Sequence, residues 1–412
     1  MLEKNAPILF GRPGRPTYSQ SYRFWVGALY LLVVKPSYPS HFSTRAMTKQ
    51  PILAAADAEP PLFLGVDVGG TNTKIGLVDN QGKTLAFESI ETREEDGPGP
   101  AVERMAGTCR RLCAQVELAI DDIPYVGLGT PGTMCLQRGM LLHPPNLPHW
   151  FEFPIRDELS RATGRPVAYV NDANAAAFGE FWIGTGARCQ SLALLTLGTG
   201  VGGGLISEGR LINGVNSFGS ETGHIIVDCR PDARLCVWGG GRGHLEAYAS
   251  ASAVAAIAEE RLDAGGESSL KATRAAEGKV TARMVYEAAR AGDTLALQIV
   301  DETAFYLGVG ITTTVHSVDP GLVVLGGAMD FGGRNCPVGQ RFLQGIIDEF
   351  ERRTFSNVFA GTRIEFASLG GDAGYLGAAG IARQAFYDHR ERELSGNGSR
   401  DEAVAGSRDS LA

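Results

Sequence analysis

The chain has 412 residues with 38 Lys+Arg against 46 Asp+Glu, a formal net charge of -8, and is 44% hydrophobic and 20% charged. Those proportions exclude a mostly disordered or coiled-coil polypeptide, and the length predicts two domains, each able to bury a core. The acidic balance argues against a nucleic-acid-binding surface spread over the whole protein but leaves room for an anionic nucleotide held locally.

The charge is uneven. Residues 1–46 carry Lys4, Arg12, Arg15, Arg23, Lys35 and Arg45 against Glu3 alone, a net +5, so the other 366 residues carry -13. Such a terminus reads as a targeting segment, a basic arm or sequence outside the fold. The apolar run 24–34 spans 11 residues, too short to cross a bilayer, and no A-x-A cleavage site follows it at the usual distance. Met47 is a natural alternative start, and residues 1–60 are expected to be an N-terminal extension, disordered or preceding the true start. The seven cysteines, Cys109, Cys113, Cys135, Cys189, Cys229, Cys236 and Cys336, are odd in number and lack disulfide-framework spacing, which predicts a reducing, cytoplasmic compartment.

From Pro61 a globular pattern begins. Residues 62–68 and 74–79 form the strands of a hairpin around Gly69-Gly70-Thr71-Asn72, with a third strand near 85–90. A helix of period 3.6 follows over about 100–120, then a strand at 125–128 entering Gly129-Thr130-Pro131-Gly132. Residues 155–163 read as a helix, 167–170 as a strand running into Asn171-Asp172, and 173–182 as the next helix. A second hairpin pairs 192–197 with 201–206 around Gly198-Thr199-Gly200. Helices are expected at 245–261, 281–291 and 294–318, and a strand at 322–325 before Gly326-Gly327. Beyond Tyr387 the chain is polar and rich in Gly, Ser and Arg, the composition of a disordered tail. The hairpins LGVDVGGTNTKIGLVDNQG and LLTLGTGVGGGLISEG repeat one plan about 129 residues apart, which suggests two similar domains facing each other.

Four segments carry chemistry. In Asp67-Val68-Gly69-Gly70-Thr71-Asn72-Thr73-Lys74, glycines let backbone N–H groups converge on phosphate oxygens and the strand-end carboxylate can hold magnesium through water; an ordinary glycine hairpin is the plain alternative. The second turn, Gly198 to Gly204, has more glycines than a structural hairpin needs, since each weakens a strand by roughly 0.5–1 kcal/mol. Neither turn has the P-loop spacing, and each opens a strand rather than a helix, unlike a Rossmann fingerprint. Asn171-Asp172-Ala173-Asn174 lies where α/β sheets bind ligands, although by spacing alone it reads first as a helix N-cap. Glu221-Thr222-Gly223-His224, followed by Cys236, His244 and Glu246, could bind polyols, a metal or nothing.

Together these motifs closely resemble the ROK family of sugar kinases and repressors, within the actin-like/hexokinase superfamily, over about residues 63–384. The resemblance also rests on Gly129-Thr130-Pro131-Gly132, Asn146-Leu147-Pro148, Gly326-Gly327-Ala328 and Leu369-Gly370-Gly371-Asp372-Ala373-Gly374. It implies an α/β fold of two actin-like (ribonuclease H-like) domains with the active site in the cleft between them. The small domain would be 61–182, completed by about 372–387, the large domain 183–371, and the tail 388–412. It makes Asp172 the catalytic base. Asn146, Asn171, Glu221, His224 and Glu246 become sugar ligands. Asp67 becomes the magnesium-linked acid, with Gly69, Gly70, Thr71, Lys74, Gly198, Thr199, Gly200, Gly326 and Gly327 holding ATP.

Many family members carry C-x-C-G-x-x-G-C-x-E, which forms a structural zinc site with the histidine of E-x-G-H. Here Trp238 stands at the second cysteine position and His244 at the third, with one extra residue. His224, Cys236 and His244 remain as zinc ligands, three where structural zinc wants four. Cys229 is a candidate fourth with unlike spacing. Otherwise His224 serves the sugar and Trp238 packs the loop.

The resemblance points to an ATP-dependent hexose kinase, glucose to glucose 6-phosphate first, with N-acetylglucosamine, mannose or fructose as alternatives and polyphosphate as another donor. It further implies a homodimer or tetramer, while the acidic balance and the short apolar run lead us to expect no nucleic-acid or membrane partner. The rival is a sugar-binding repressor. Pro7, Pro13, Pro16, Pro36, Pro39, Pro51 and Pro60 leave no space for its paired DNA-binding helices.

Overall fold

The computed structural model of the chain describes residues 52–144, 146–236 and 240–395. Strand β1 (Phe63–Val68) turns into β2 (Asn72–Val78), which pairs with β3 (Thr84–Glu91). Period-2 alternation builds this hairpin: Leu64, Val66, Ile75 and Leu77 join one core, while Phe63 and Val78 join another on the opposite face. Next come α1 (Pro98–Ala114), β4 (Val126–Thr130), the short pair β5 (Thr133–Cys135) and β6 (Met140–His143), α2 (Ile155–Thr163), β7 (Val167–Asn171) and α3 (Asp172–Trp182). The second hairpin is β8 (Leu192–Leu197), β9 (Val201–Ser207) and β10 (Arg210–Leu211). Helices α4 (Glu246–Ala249), α5 (Ala251–Asp263), α6 (Leu270–Glu277), α7 (Ala282–Arg290) and α8 (Thr294–Val318) precede β11 (Leu322–Gly326). Then follow α9 (Pro337–Arg353), α10 (Ser356–Gly361), β12 (Arg363–Phe366) and α11 (Ala373–Leu394).

The sequence repeat is the visible part of a repeated topology. One sheet runs β3-β2-β1-β4-β7 and the other β10-β9-β8-β11-β12. In each, the first three strands are antiparallel and the last two join in parallel. Helices α1 and α2 cover the outer face of the first sheet through Val102, Met105, Leu112 and Leu159. The outer face of the second is covered by α5, α7, α8 and α9. Along α8, Ile299, Leu307, Ile311 and Val315 are all buried, and each such side chain contributes roughly 1.5–3 kcal/mol.

Two helices lie between the sheets. Helix α3 leaves the first sheet at β7 and docks Ala177 and Phe178 on the second, against Leu192, Leu194 and Val324. Helix α11 leaves the second sheet after β12 and docks Tyr375, Leu376 and Ala379 on the first. Each therefore crosses from one lobe to the other, and they pack together where they cross. A side chain on Gly377 would collide with the Ala175 carbonyl, so the crossing requires glycine there.

The structure corrects four expectations. Residues 53–60 are docked rather than loose: the Leu53 amide donates to the Thr84 carbonyl at 2.8 Å and the Asn80 amide to the Glu59 carbonyl at 2.8 Å. Helix α1 stops at Ala114 instead of 120, because the chain turns at Glu117 (φ 61°) and folds Val116, Leu118 and Ile120 back onto the core. The helix expected over 245–261 is two, since Ser250 is extended and its hydroxyl caps α5 by accepting the Ala253 amide at 3.1 Å. Helix α11 runs to Leu394, past the expected tail start at 388. Residues 390–394 are good helix formers, and Asp388 pairs with Arg210 at 3.3 Å. The apolar run 24–34, Met47, Trp238 and residues 396–412 lie outside the described residues. Among the described residues no helix is long and apolar enough to cross a membrane.

Candidate active site

The crossed helices bring the ends of β1, β4, β7, β8 and β11 to one cleft, the position at which parallel sheets bind ligands. Two cavities open there. The larger, of about 710 Å³, is lined by Asn146, Asn171, Asp172, Glu221, His224 and Glu246, together with Gly198, Thr199, Gly200 and Gly327. The smaller, of about 300 Å³, is lined by Asp67, Lys74, Asp172, Gly326 and Gly327. Asp172, Ala173, Thr196 and Gly327 line both, so Asp172 stands in the wall between them. Gly69, Gly70 and Thr71 line neither. Their turn stands beside Asn146: a β-carbon on Gly70 would be 3.1 Å from that of Asn146.

Asn171 is the N-cap of α3. Its Oδ1 accepts the Ala173 amide at 2.9 Å and the Asn174 amide at 3.4 Å. The capping role weighed from sequence thus belongs to Asn171, which turns the next residue into the cavity. Asp172 Oδ1 accepts the Ala173 amide at 2.8 Å. Burial first, then the charges of Asp67 and Glu221, push the Asp172 carboxyl up to about 7 against the pull of that amide. A carboxyl near neutrality matches a general base working near neutral pH.

Asp67 ends β1 facing the smaller cavity. Burial raises its carboxyl to about 6, with the Lys74 ammonium pulling the other way. The Lys74 ammonium donates to the Gly371 carbonyl, and a side chain on Gly374 would collide with the Asp67 carboxylate. The Gly370–Gly374 stretch therefore closes down on both groups.

On the second lobe, Glu246 is buried; its Oε2 accepts the Val201 amide at 2.8 Å and its Oε1 lies 3.2 Å from the Cys236 thiol. Glu246 thus steadies the Gly198–Gly200 turn as well as lining the larger cavity. Burial in the cavity wall raises the Glu221 carboxyl, His224 lowers it, and Glu246 adds to the rise. His224 Nδ1 and His244 Nδ1 are 3.1 Å apart, and ligand atoms of His224, Cys236 and His244 all lie within 4.8 Å of one another. Burial and the charge of His224 hold His244 below the usual imidazole range, favouring a neutral, metal-ready ring. Cys229 is exposed and does not join this group.

Four residues in the site escaped sequence reasoning. Thr196 lines both cavities, Glu180 lines the smaller, and Gly371 supplies the carbonyl for Lys74. Asn174 is 5% exposed, lines the larger cavity, and its Oδ1 has no partner among the described residues. Asn174 and Gly371 left a signal, as members of Asn171-Asp172-Ala173-Asn174 and Leu369-Gly370-Gly371-Asp372-Ala373-Gly374, but neither was given a role. Across the mouth of the larger cavity the lobes also touch: the Leu136 amide donates to Ser217 Oγ at 3.0 Å and the Gln137 side-chain amide to the Val215 carbonyl at 2.9 Å.

The paired sheets, crossed helices and acidic cleft define an actin-like fold with an interlobe ligand site. The chain belongs to the ROK family, whose model it matches over residues 63–385. A glucokinase of Halalkalibacterium halodurans is 35% identical over 322 residues, 78% of this chain and 95% of that protein. The crystal structure of a ROK hexokinase from Thermus thermophilus superposes with a TM-score of 0.68 at 31% identity, covering 80% of this chain and 100% of that one. A ROK family glucokinase from Streptomyces griseus, solved with glucose and AMPPNP, gives a TM-score of 0.62 at 30% identity over 79% of this chain and 100% of that one.

Proposed function

We propose that this chain transfers the γ-phosphoryl group of ATP to the 6-hydroxyl of glucose. The observation that carries the reading is Asp172 in the wall shared by two cavities: one lined with the acids and amides that a polyol needs, the other with a carboxylate, a lysine and glycine backbone. The relatives bear names or ligands of the same chemistry.

The roles follow from position. Asn146, Asn171, Glu221, His224 and Glu246 hold sugar hydroxyls in the larger cavity. Asp172, lining both cavities, accepts the proton of the attacking hydroxyl, whose oxygen bonds to the γ-phosphorus as the bond from that phosphorus to the bridging oxygen breaks and ADP leaves. Phosphoryl transfer runs through a loose transition state, so placement and charge stabilisation supply most of the rate. Lys74 supplies positive charge and Gly326 and Gly327 line the donor side, while the Gly198–Gly200 turn lines the larger cavity that shares Asp172 with it. The Leu136–Ser217 and Gln137–Val215 bridges narrow the mouth and hinder water from competing as acceptor. Asp67 fits a magnesium ion, being a buried strand-end carboxylate in the cavity that also holds Lys74. Magnesium, when bound, neutralises charge developing on the phosphate oxygens.

His224, Cys236 and His244 fit zinc in this reading. Two nitrogens each 2.0–2.1 Å from a tetrahedral zinc stand about 3.3 Å apart, close to the 3.1 Å between the two imidazoles. Such an ion would fix the loop around Cys236 and so the backbone that carries Glu246.

A coupled assay over glucose, mannose, fructose and N-acetylglucosamine, with ATP and polyphosphate as donors, tests the function. Glucose with ATP is expected to give the highest kcat/KM. No turnover with any hexose would overturn the reading, and a clear preference for another sugar or donor would reassign it.

A further inference from the structure

Glu180 has no role in the mechanism just given. It lies in the last turn of α3, is 0% exposed, and lines the smaller cavity with Asp67 and Lys74. A buried carboxylate is costly unless its oxygens are satisfied. Here four neutral donors meet it: the amides of Ser368 at 2.9 Å and Leu369 at 2.7 Å on Oε1, and the Thr185 amide at 2.8 Å and Ser368 hydroxyl at 3.1 Å on Oε2.

The placement of those donors gives the arrangement its meaning. Thr185 lies just after α3, on the chain's passage from the first lobe to the second. Ser368 and Leu369 lie between β12 and α11, on the passage back. Glu180 therefore fastens together the two strands of chain that connect the lobes. Two residues beyond Leu369 is Gly371, whose carbonyl receives the Lys74 ammonium, and three further is Gly374, packed on the Asp67 carboxylate. One buried side chain thus fixes the near end of a segment whose far end closes on two donor-side groups.

Resting on the kinase reading above, we propose that Glu180 is a positioning residue for the phosphoryl donor. It clamps the two interlobe passages so that the 368–374 segment holds Lys74 and Asp67 at the geometry the nucleotide needs. It lines only the smaller cavity, so its effect falls on the donor and not on the sugar.

The test uses the full chain. Glu180→Gln keeps the shape and one accepting oxygen but turns an amide group toward a donor, breaking part of the clamp. Its KM for ATP is expected to rise about tenfold with KM for glucose within about twofold of wild type. The affinity for magnesium-AMPPNP, read calorimetrically without turnover, is expected to weaken by a similar factor. Ser368→Ala, which removes only the hydroxyl bond, is expected to shift the same two quantities by a smaller factor and serves if Glu180→Gln does not fold. A fall in Tm with both KM values and the AMPPNP affinity unchanged would overturn the proposal, as would equal changes in both KM values. Failure of wild-type protein to phosphorylate any hexose would count against the kinase reading instead, and the AMPPNP titration would still read the clamp.

Discussion

Asp67 and Asp172 face one small cavity from different elements, the end of β1 and the first turn of α3, and the charge of Asp67 helps hold the Asp172 carboxyl up to about 7. Two buried acids this placed do not both ionise readily. A base that must be charged to act then loses activity in acid. The acid limb of kcat/KM for the sugar is expected to bend near pH 7. Replacing Asp67 with Asn removes the neighbouring charge and should move that bend to lower pH by roughly 0.5–1 unit, whatever the absolute rate. An unmoved bend would show that Asp67 does not set it.

The same shift has a sign for stability. Folded Asp172 stays protonated up to about 7, whereas an unfolded aspartate releases its proton near 3.9. Between those values the folded state binds more protons, so stability falls as pH rises through the window. Asp172→Asn removes this burden and retains an oxygen for the Ala173 amide. It should lose most of its activity yet be more stable than wild type at pH 8, by about 1–3 kcal/mol, with the gap closing towards pH 4. Denaturant melts at the two pH values read this directly.

Asn174 offers a buried acceptor that no described residue meets, in the lining of the larger cavity. Such an atom costs about 1–3 kcal/mol until a donor reaches it. Asn174→Ala is expected to raise KM for glucose by about tenfold with little change in KM for ATP. Steady-state kinetics with each substrate varied in turn reads this, and an unchanged glucose KM would count against it.

The His224, Cys236 and His244 group predicts near-stoichiometric zinc in purified protein. Less than about 0.2 zinc per chain would reject the site, since a structural ion is retained. Cys236→Ser should lose the metal and lower Tm by several degrees.

Much of this was legible in sequence because it is local. The Ile155–Thr163, Leu192–Leu197 and Thr294–Val318 elements follow from apolar periodicity bounded by turn residues. Both glycine turns announced themselves by composition. Helix α9 did not, although Pro337 marks its first turn. The Glu180 clamp was invisible, because its bonds to Ser368 and Leu369 join residues nearly 190 positions apart and each partner alone is ordinary. The sharing of Asp172 between two cavities is equally a property of packing, created by α3 passing from one sheet to the other.

The most direct test of the central claim is phosphorus NMR of a reaction of glucose with magnesium-ATP, run with wild-type protein and with Asp172→Asn. The account predicts glucose 6-phosphate and ADP in equal amounts from wild type, and a rate lower by roughly 10²–10⁴ from the variant while its fold is kept. Comparable product from both proteins would contradict it.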